Sequence, residues 1–239
     1  MSLIYPLAPK TGPVGSYFEY LEHFTGSGQF TGNLSVSNSG GSTILSLTYP
    51  RMGVLALQTG TALSADQRAA ITSGNNAYQI KGSNIKYYLN ICLAQSGTNW
   101  FDGTTTGAAR WGMTNNTALT GVLDSTSGIF FRTINNGNIQ FVCRNSASET
   151  VSSTGYTLSN GVFNVYEIEI PSDGNSVIAK IDGTTVATIT SNIPASAIRL
   201  NTSISITRAT SAVGTNCALV SDWMYFKATP ITPFFITTN

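Results

Sequence analysis

Apolar and polar residues alternate along most of this chain with a period of two, in short runs. Tyr166, Ile168 and Ile170 are separated by Glu167 and Glu169 in a stretch that starts at Val162. Successive side chains of an extended strand point to opposite faces, so the spacing predicts a half-buried strand with its apolar members inward and both glutamates toward solvent. Val177, Ala179 and Ile181 repeat the pattern, Asp182-Gly183 tolerates the positive φ angles of a two-residue hairpin, and Thr185 to Thr190 returns. Leu200 to Arg208 alternates Ile204 and Ile206 with Ser and Thr, and Val220 to Lys227 closes the series. Upstream, the same reading predicts strands over Ile44 to Tyr49, Gly53 to Thr59, Lys86 to Ala94, Arg110 to Thr114, Gly128 to Thr133 and Asn138 to Arg144. Clusters of Gly, Asn and Ser separate these runs. The expected fold is all-β, a two-sheet antiparallel sandwich with one short helix and extended terminal arms.

The helix is expected where Ser64-Ala-Asp-Gln67 has the form of a capping box leading into Arg68-Ala-Ala-Ile71, with Gly74-Asn75-Asn76 as its stop. The arms are expected from proline. Pro6, Pro9 and Pro13, with Gly12 and Gly15, hold residues 1–15 extended and deny them ladder hydrogen bonds. Ile4, Tyr5 and Leu7 then need cover from this domain or a neighbour, and Phe234 and Phe235, following Pro230 and Pro233, are in the same position. These five residues are the candidate protein contacts. The organisation predicted is an N-terminal arm over 1–15, a sandwich over 16–228 and a C-terminal arm over 229–239. A length of 239 residues suits one large β-domain.

Composition changes the picture at the surface. Hydrophobic residues make up 41% of the chain, enough for a continuous core, while charged residues make up 10%, far below the roughly 25% of ordinary soluble domains. The surface is therefore dressed in Ser, Thr, Asn, Gln and Gly. A net charge of +1 leaves no electrostatic footprint for nucleic acid or an anionic membrane. No apolar run reaches the roughly 20 residues that span a bilayer, and the opening Met1-Ser-Leu-Ile-Tyr-Pro6 has no secretory leader pattern. Cys92, Cys143 and Cys217 lie far apart in strand-like contexts, as buried thiols do rather than a zinc or redox motif.

Candidate chemistry is sparse. His23 is the only histidine, which rules out zinc sites built on two or three imidazoles, and no Gly-x-Ser-x-Gly elbow accompanies it. Glu19 with Glu22 and Glu167 with Glu169 are the only close carboxylate pairs of the kind glycoside hydrolysis would need. Asp102, Asp124, Asp173, Asp182 and Asp222 are scattered, which fits turns better than a calcium loop. The expectation is a chain without catalytic centre, metal or cofactor. A glycan, which needs aromatic faces and neutral hydrogen-bonding groups, is best served by the loop Asn99-Trp100-Phe101-Asp102-Gly103, so Trp100 and Asp102 are the candidate glycan contacts. Trp111 and Trp223 fall within strand patterns and are expected in the core.

Several runs together resemble a known family. Ala109-Arg-Trp-Gly-Met113, Gly128-Ile-Phe-Phe-Arg132, Val165-Tyr-Glu-Ile-Glu-Ile170, Ala179-Lys-Ile-Asp-Gly-Thr-Thr-Val-Ala187, Ser191-Asn-Ile-Pro194 and Ser221-Asp-Trp-Met-Tyr-Phe226 succeed one another as strands do in concanavalin A-like lectin/glucanase jelly rolls. The resemblance is to such sandwiches in structural proteins of tailed bacteriophages, and it covers residues 17 to 228. It implies a virion module, made in a host cytoplasm and assembled as a homo-oligomer, a trimer first. The glucanase strand motif Glu-x-Asp-x-x-Glu and the legume-lectin metal loop have no match, so neither set of site residues carries over. The function expected is thus that of a non-enzymatic capsid decoration or cement protein bound to the major capsid protein or other virion proteins. The alternative is a tail or head fibre module that binds a host-surface glycan.

Overall fold

The computed structural model describes residues 18–23, 34–39, 43–47, 54–58, 67–73, 78–95, 106–115, 127–134, 137–146, 148–159, 161–209 and 217–230. Sixteen strands lie within them: β1 (Phe18–His23), β2 (Leu34–Ser39), β3 (Thr43–Leu47), β4 (Val54–Gln58), β5 (Gln67–Ser73), β6 (Tyr78–Gln79), β7 (Ser83–Gln95) and β8 (Thr106–Thr114). The second half contributes β9 (Gly128–Ile134), β10 (Gln140–Asn145), β11 (Ser148–Ser153), β12 (Asn164–Ile170), β13 (Val177–Ile181), β14 (Thr184–Ile189), β15 (Arg199–Ala209) and β16 (Cys217–Pro230). The first sheet runs β14-β13-β12-β7-β16-β4-β3, with β1 also on β16; the second runs β11-β10-β9-β8-β15-β5-β2, with β6 also on β15. All pairings are antiparallel. The fold is the expected two-sheet jelly-roll sandwich.

The core lies between the sheets and is built from the inward phase of each alternating run. Tyr87, Leu89 and Ile91 of β7, Tyr166 and Ile168 of β12 and Phe226 of β16 face Trp111 of β8, Ile129 and Phe131 of β9, Phe141 of β10 and Ile204 and Ile206 of β15. Aromatic contacts tie the two layers: Trp111 meets Tyr166 edge-on at 4.9 Å between ring centroids, and Phe131 meets Tyr166 at 5.2 Å. Each such side chain removed from water stabilises the fold by roughly 1.5–3 kcal/mol. Asp182 and Gly183 take the expected positive φ angles, 49° and 78°, and the Asp182 carboxylate accepts hydrogen bonds from the Val165 amide and the Asn164 side chain at 2.7 and 2.6 Å. The hairpin between β13 and β14 is thereby pinned to the start of β12.

Three expectations are corrected. Gln67 to Ile71 is not helical; it belongs to β5, which is paired on both edges, to β15 and to β2. Ala69 and Ile71 enter the core while Ala70 and Thr72 face outward, and two adjacent alanines hide that alternation in the sequence. A ladder on both edges satisfies the backbone of β5 and overrides the modest helical preference of alanine. Trp111 is in the core, but Trp223 is not. The register shifts between Ser221 and Trp223, so Ser221 lies opposite Ile91 and Trp223 opposite Asn90. One extra residue, Asp222, reverses the phase of β16 and turns Trp223 outward, half-buried beside Tyr225. Finally, β16 continues through Thr229 and Pro230, so the sandwich claims the first two residues assigned to the C-terminal arm.

The arm residues Ile4, Tyr5, Leu7, Phe234 and Phe235 lie outside the described residues, as do Trp100 and Asp102. Cys143 is a free thiol, and both it and Cys92 are buried. Burial in the core pushes the Cys143 thiol up to about 12, which keeps it protonated and unreactive.

Candidate functional site

The outward face of each sheet is where ligand chemistry can sit, and the two faces differ. On the first sheet, Glu167 and Glu169 of β12 share the outward phase as expected, but neither stands free in solvent. Glu169 is clamped between Lys180 and Lys86, at 2.7 and 2.9 Å, and Lys180 also reaches Glu167 at 3.5 Å. The Lys180 hydrogen bond, seconded by Lys86, holds the Glu169 carboxyl down at about 2 against the opposing effect of burial. Both lysines are in turn raised above their ordinary value by their hydrogen bonds to Glu169. Tyr88 of β7 is raised mainly by burial and further by a hydrogen bond to Glu167. A glutamate held this strongly ionised has no proton to give a leaving group near neutrality. Glu169 is therefore part of a cross-strand brace and not the proton donor of an acid and base pair flanking a bond. His23, at the end of β1, is paired with Trp223.

The second sheet is different. Its outward positions are mostly polar, yet most of those on β5, β15, β8 and β9 are buried within the chain, so they form a covered polar band. The registers arrange them in rows across the strands. One row runs Ala70, Ser205, Arg110, Arg132, Gln140, Ser153 from β5 to β11; the next runs Thr72, Ser203, Gly112, Phe130, Val142, Val151; a third runs Asn201, Thr114, Gly128, Arg144, Glu149. Along the middle row Thr72 and Ser203 are 3% exposed and Phe130 and Val142 not at all, while Val151 on β11 is 40% exposed. This polar band, the trough, is covered over β5, β15, β8 and β9, half-buried at Gln140 and Arg144 of β10, and exposed along β11.

Hydrogen bonds hold these groups in place. Arg132 forks onto Glu149 through both terminal nitrogens, at 3.1 and 2.9 Å, and its Nε donates to Gln140 at 2.8 Å. Arg144 donates to the same Glu149 at 2.9 Å. Deeper in, Arg110 donates to the Thr207 hydroxyl at 3.2 Å, and the Thr114 hydroxyl donates to Ser203 at 3.3 Å. The buried Thr72 hydroxyl has no hydrogen-bond partner among the described residues. At the centre, Phe130 lies over Gly112, the one outward position on β8 where a Cβ would strike the Phe130 backbone. Phe130 is itself fully buried, so the groups that can meet a polyhydroxylated ligand are the amide, guanidinium and carboxylate of Gln140, Arg144 and Glu149 at the β10–β11 edge.

None of these trough residues was singled out from the sequence. The available signal was phase: Arg110, Arg132, Ser203, Ser205 and Thr207 occupy the outward positions of strands whose inward positions are apolar. Phe130 breaks that phase, since it is a bulky apolar residue at an outward position, and an exception of this kind marks a covered face.

No family model matches the chain, and no curated protein does. Solved structures do. An endo-1,3-β-glucanase from Streptomyces sioyaensis superposes with a TM-score of 0.62 at 14% identity, covering 95% of this chain and 99% of that one. Peanut lectin gives a TM-score of 0.62 at 11% identity over 91% and 100%, and a protein of unknown function from Shewanella oneidensis MR-1 gives 0.62 at 16% identity over 98% of both chains. The chain therefore has the concanavalin A-like lectin/glucanase jelly-roll fold. The same likeness corrects the expectation of a chain without enzymatic activity. Several of these neighbours are glycoside hydrolases, a β-glucanase from Bacillus licheniformis among them, so the sandwich is an enzymatic fold as well as a lectin fold. A single histidine and a missing strand motif do not exclude catalysis from it.

Proposed function

We propose that this chain is a carbohydrate-recognising module whose binding face is the trough on the second sheet, carried on a virion as part of a fibre or decoration protein. The observation that carries the reading is the exposed end of the trough, where Gln140 and Glu149 are held in fixed orientation by Arg132, with Arg144 on the same Glu149, at the β10–β11 edge that reaches solvent. The fold shared with a lectin and with glucanases supports it. Placement on a virion rests on the sequence resemblance alone. A glycan array probed with the full chain tests the reading, with Gln140→Ala and Arg144→Ala at the open end of the trough and Trp100→Ala in the loop Asn99 to Gly103. Retained glycans whose binding falls about tenfold or more in the two trough variants support it. An array without retained glycans, or binding lost only in Trp100→Ala, overturns it.

A second reading, a capsid decoration protein bound to neighbouring capsid subunits, is favoured by a different observation. Phe18 at the start of β1 lies opposite Ala228 near the end of β16, so the chain enters and leaves the sandwich at one pole. The flanking segments, apolar and bearing proline, suit a module fixed to its support through them.

A further inference from the structure

The outward face of the first sheet carries aromatic rings that the fold covers only in part. Tyr88 of β7 and Trp223 and Tyr225 of β16 are half-buried, although Tyr87, Leu89, Met224 and Phe226 beside them in the chain all lie in the core. Tyr225 is opposite Tyr88 in the ladder and Trp223 is opposite Asn90, so the three rings stand on neighbouring positions of one face. The Tyr88 and Tyr225 rings lie 5.6 Å apart between centroids, tilted by 59°. Alternate residues of a strand are roughly 7 Å apart, which sets Trp223 next to Tyr225. At the other end of the same face the fold buries Ala56, Cys92, Ala218 and Val220 and packs Phe163 against them. The larger rings are left part-exposed.

A second observation is the bulge in β16. Ser221 lies opposite Ile91 and Trp223 opposite Asn90, so the inserted Asp222 is what turns the largest side chain of this strand away from the core. A ring left partly in water forgoes the stabilisation of full burial, and bulges that re-aim a side chain gather at functional positions. Polar groups border the rings in fixed orientation. The row from Tyr225 through Tyr88 continues to Glu167 and Lys180. Tyr88 is hydrogen-bonded to Glu167, Lys180 reaches Glu167 and Glu169, and Lys86 reaches Glu169. Two lysines are matched by two glutamates there, so the border favours a ligand without net charge.

We infer that this face binds a neutral oligosaccharide, whose apolar ring faces stack on Trp223, Tyr225 and Tyr88 while its hydroxyls meet Asn90 and the charged border. A sugar presents C–H groups on its face and hydroxyls at its rim, which fits half-exposed Trp and Tyr rings flanked by amide, ammonium and carboxylate groups. This surface is separate from the β10–β11 edge, which belongs to the other sheet, and does not depend on it.

Tryptophan fluorescence and isothermal titration calorimetry on the full chain test it, with a β-1,4-glucan hexamer, a β-1,3-glucan hexamer and an oligogalacturonate as probes. At least one neutral probe is expected to bind and to shift the emission maximum, with an affinity little changed by salt. Trp223→Ala and Tyr225→Ala are each expected to weaken that binding about tenfold or more. Trp223→Phe, which keeps a ring, is expected to retain most of the affinity and lose the emission shift, and it keeps the test decisive if Trp223→Ala fails to fold. Neutral binding untouched by the ring variants and lost in Arg144→Ala overturns the assignment to this face and leaves the β10–β11 edge intact. Failure of both neutral probes to bind, or a preference for the oligogalacturonate, overturns it as well. Sedimentation velocity examines the other occupant: an oligomer that Trp223→Ala dissociates into monomers would mean that a second copy covers the rings, and the inference would fall.

Discussion

At the scale of single residues, Gly112 is the position with least freedom. Its φ of +148° is rarely adopted by residues with side chains, and a Cβ there would lie 2.5 Å from the Ile129 carbonyl oxygen and 2.6 Å from the Phe130 Cα. Both obstacles are backbone, so relief would require β9 to move away from β8. Gly112→Ala is therefore expected to cost about 3 kcal/mol or to prevent folding, from overpacking and backbone strain together, as read from urea denaturation. Gly183 provides the contrast: its φ is also positive, at 78°, but a methyl group added there would meet no atom within 4 Å. Gly183→Ala should cost only about 1 kcal/mol in the same assay. Glycine recurs throughout this sequence, and nothing local distinguishes Gly112 from the others; the approach of a neighbouring strand does.

At the scale of elements, the brace across β13, β12 and β7 makes a pH prediction. Glu169 has its carboxyl held at about 2 in the folded chain, below the ordinary value of 4.5. Folding therefore favours its ionised form, and the stabilisation is fully present above about pH 4.5 and lost as pH falls toward 2. Because the ion pairs lie on a sheet surface partly open to water, the loss is expected to be about 1 kcal/mol or less. Glu169→Gln should remove that component of the acid denaturation profile and leave stability at pH 7 lowered by a similar amount. Strand β12 was legible in the sequence because three inward apolar residues alternate with these glutamates. Strand β5 was not, because Ala69 and Ala70 carry no contrast between faces. The bulge in β16 was hidden as well, since Ser221-Asp-Trp223 reads equally well in either phase until β7 fixes the register.

At the scale of the molecule, the pole where β1 begins and β16 ends is where attachment is to be sought. Deleting residues 1–15 is expected to leave the β-type circular dichroism unchanged, because Pro6, Pro9 and Pro13 deny that segment ladder hydrogen bonds, while weakening retention on virions or capsids that lack the protein. Loss of the fold on deletion would instead give the segment an intramolecular role. By itself the sequence determined the class of fold, the phase of the strands from β12 to β15, the Asp182-Gly183 hairpin and the burial of Trp111, all of which follow from periodicity within a few residues. The trough was decided only by tertiary structure. Its groups come from distant parts of the chain: Arg110 and Thr207 are 97 residues apart, and Thr72 meets Ser203 across a ladder between β5 and β15. A strand pattern states which residues share a face of one strand. Which strands lie side by side, and which face is then covered, is set by the register of antiparallel ladders and by the packing of one sheet on the other.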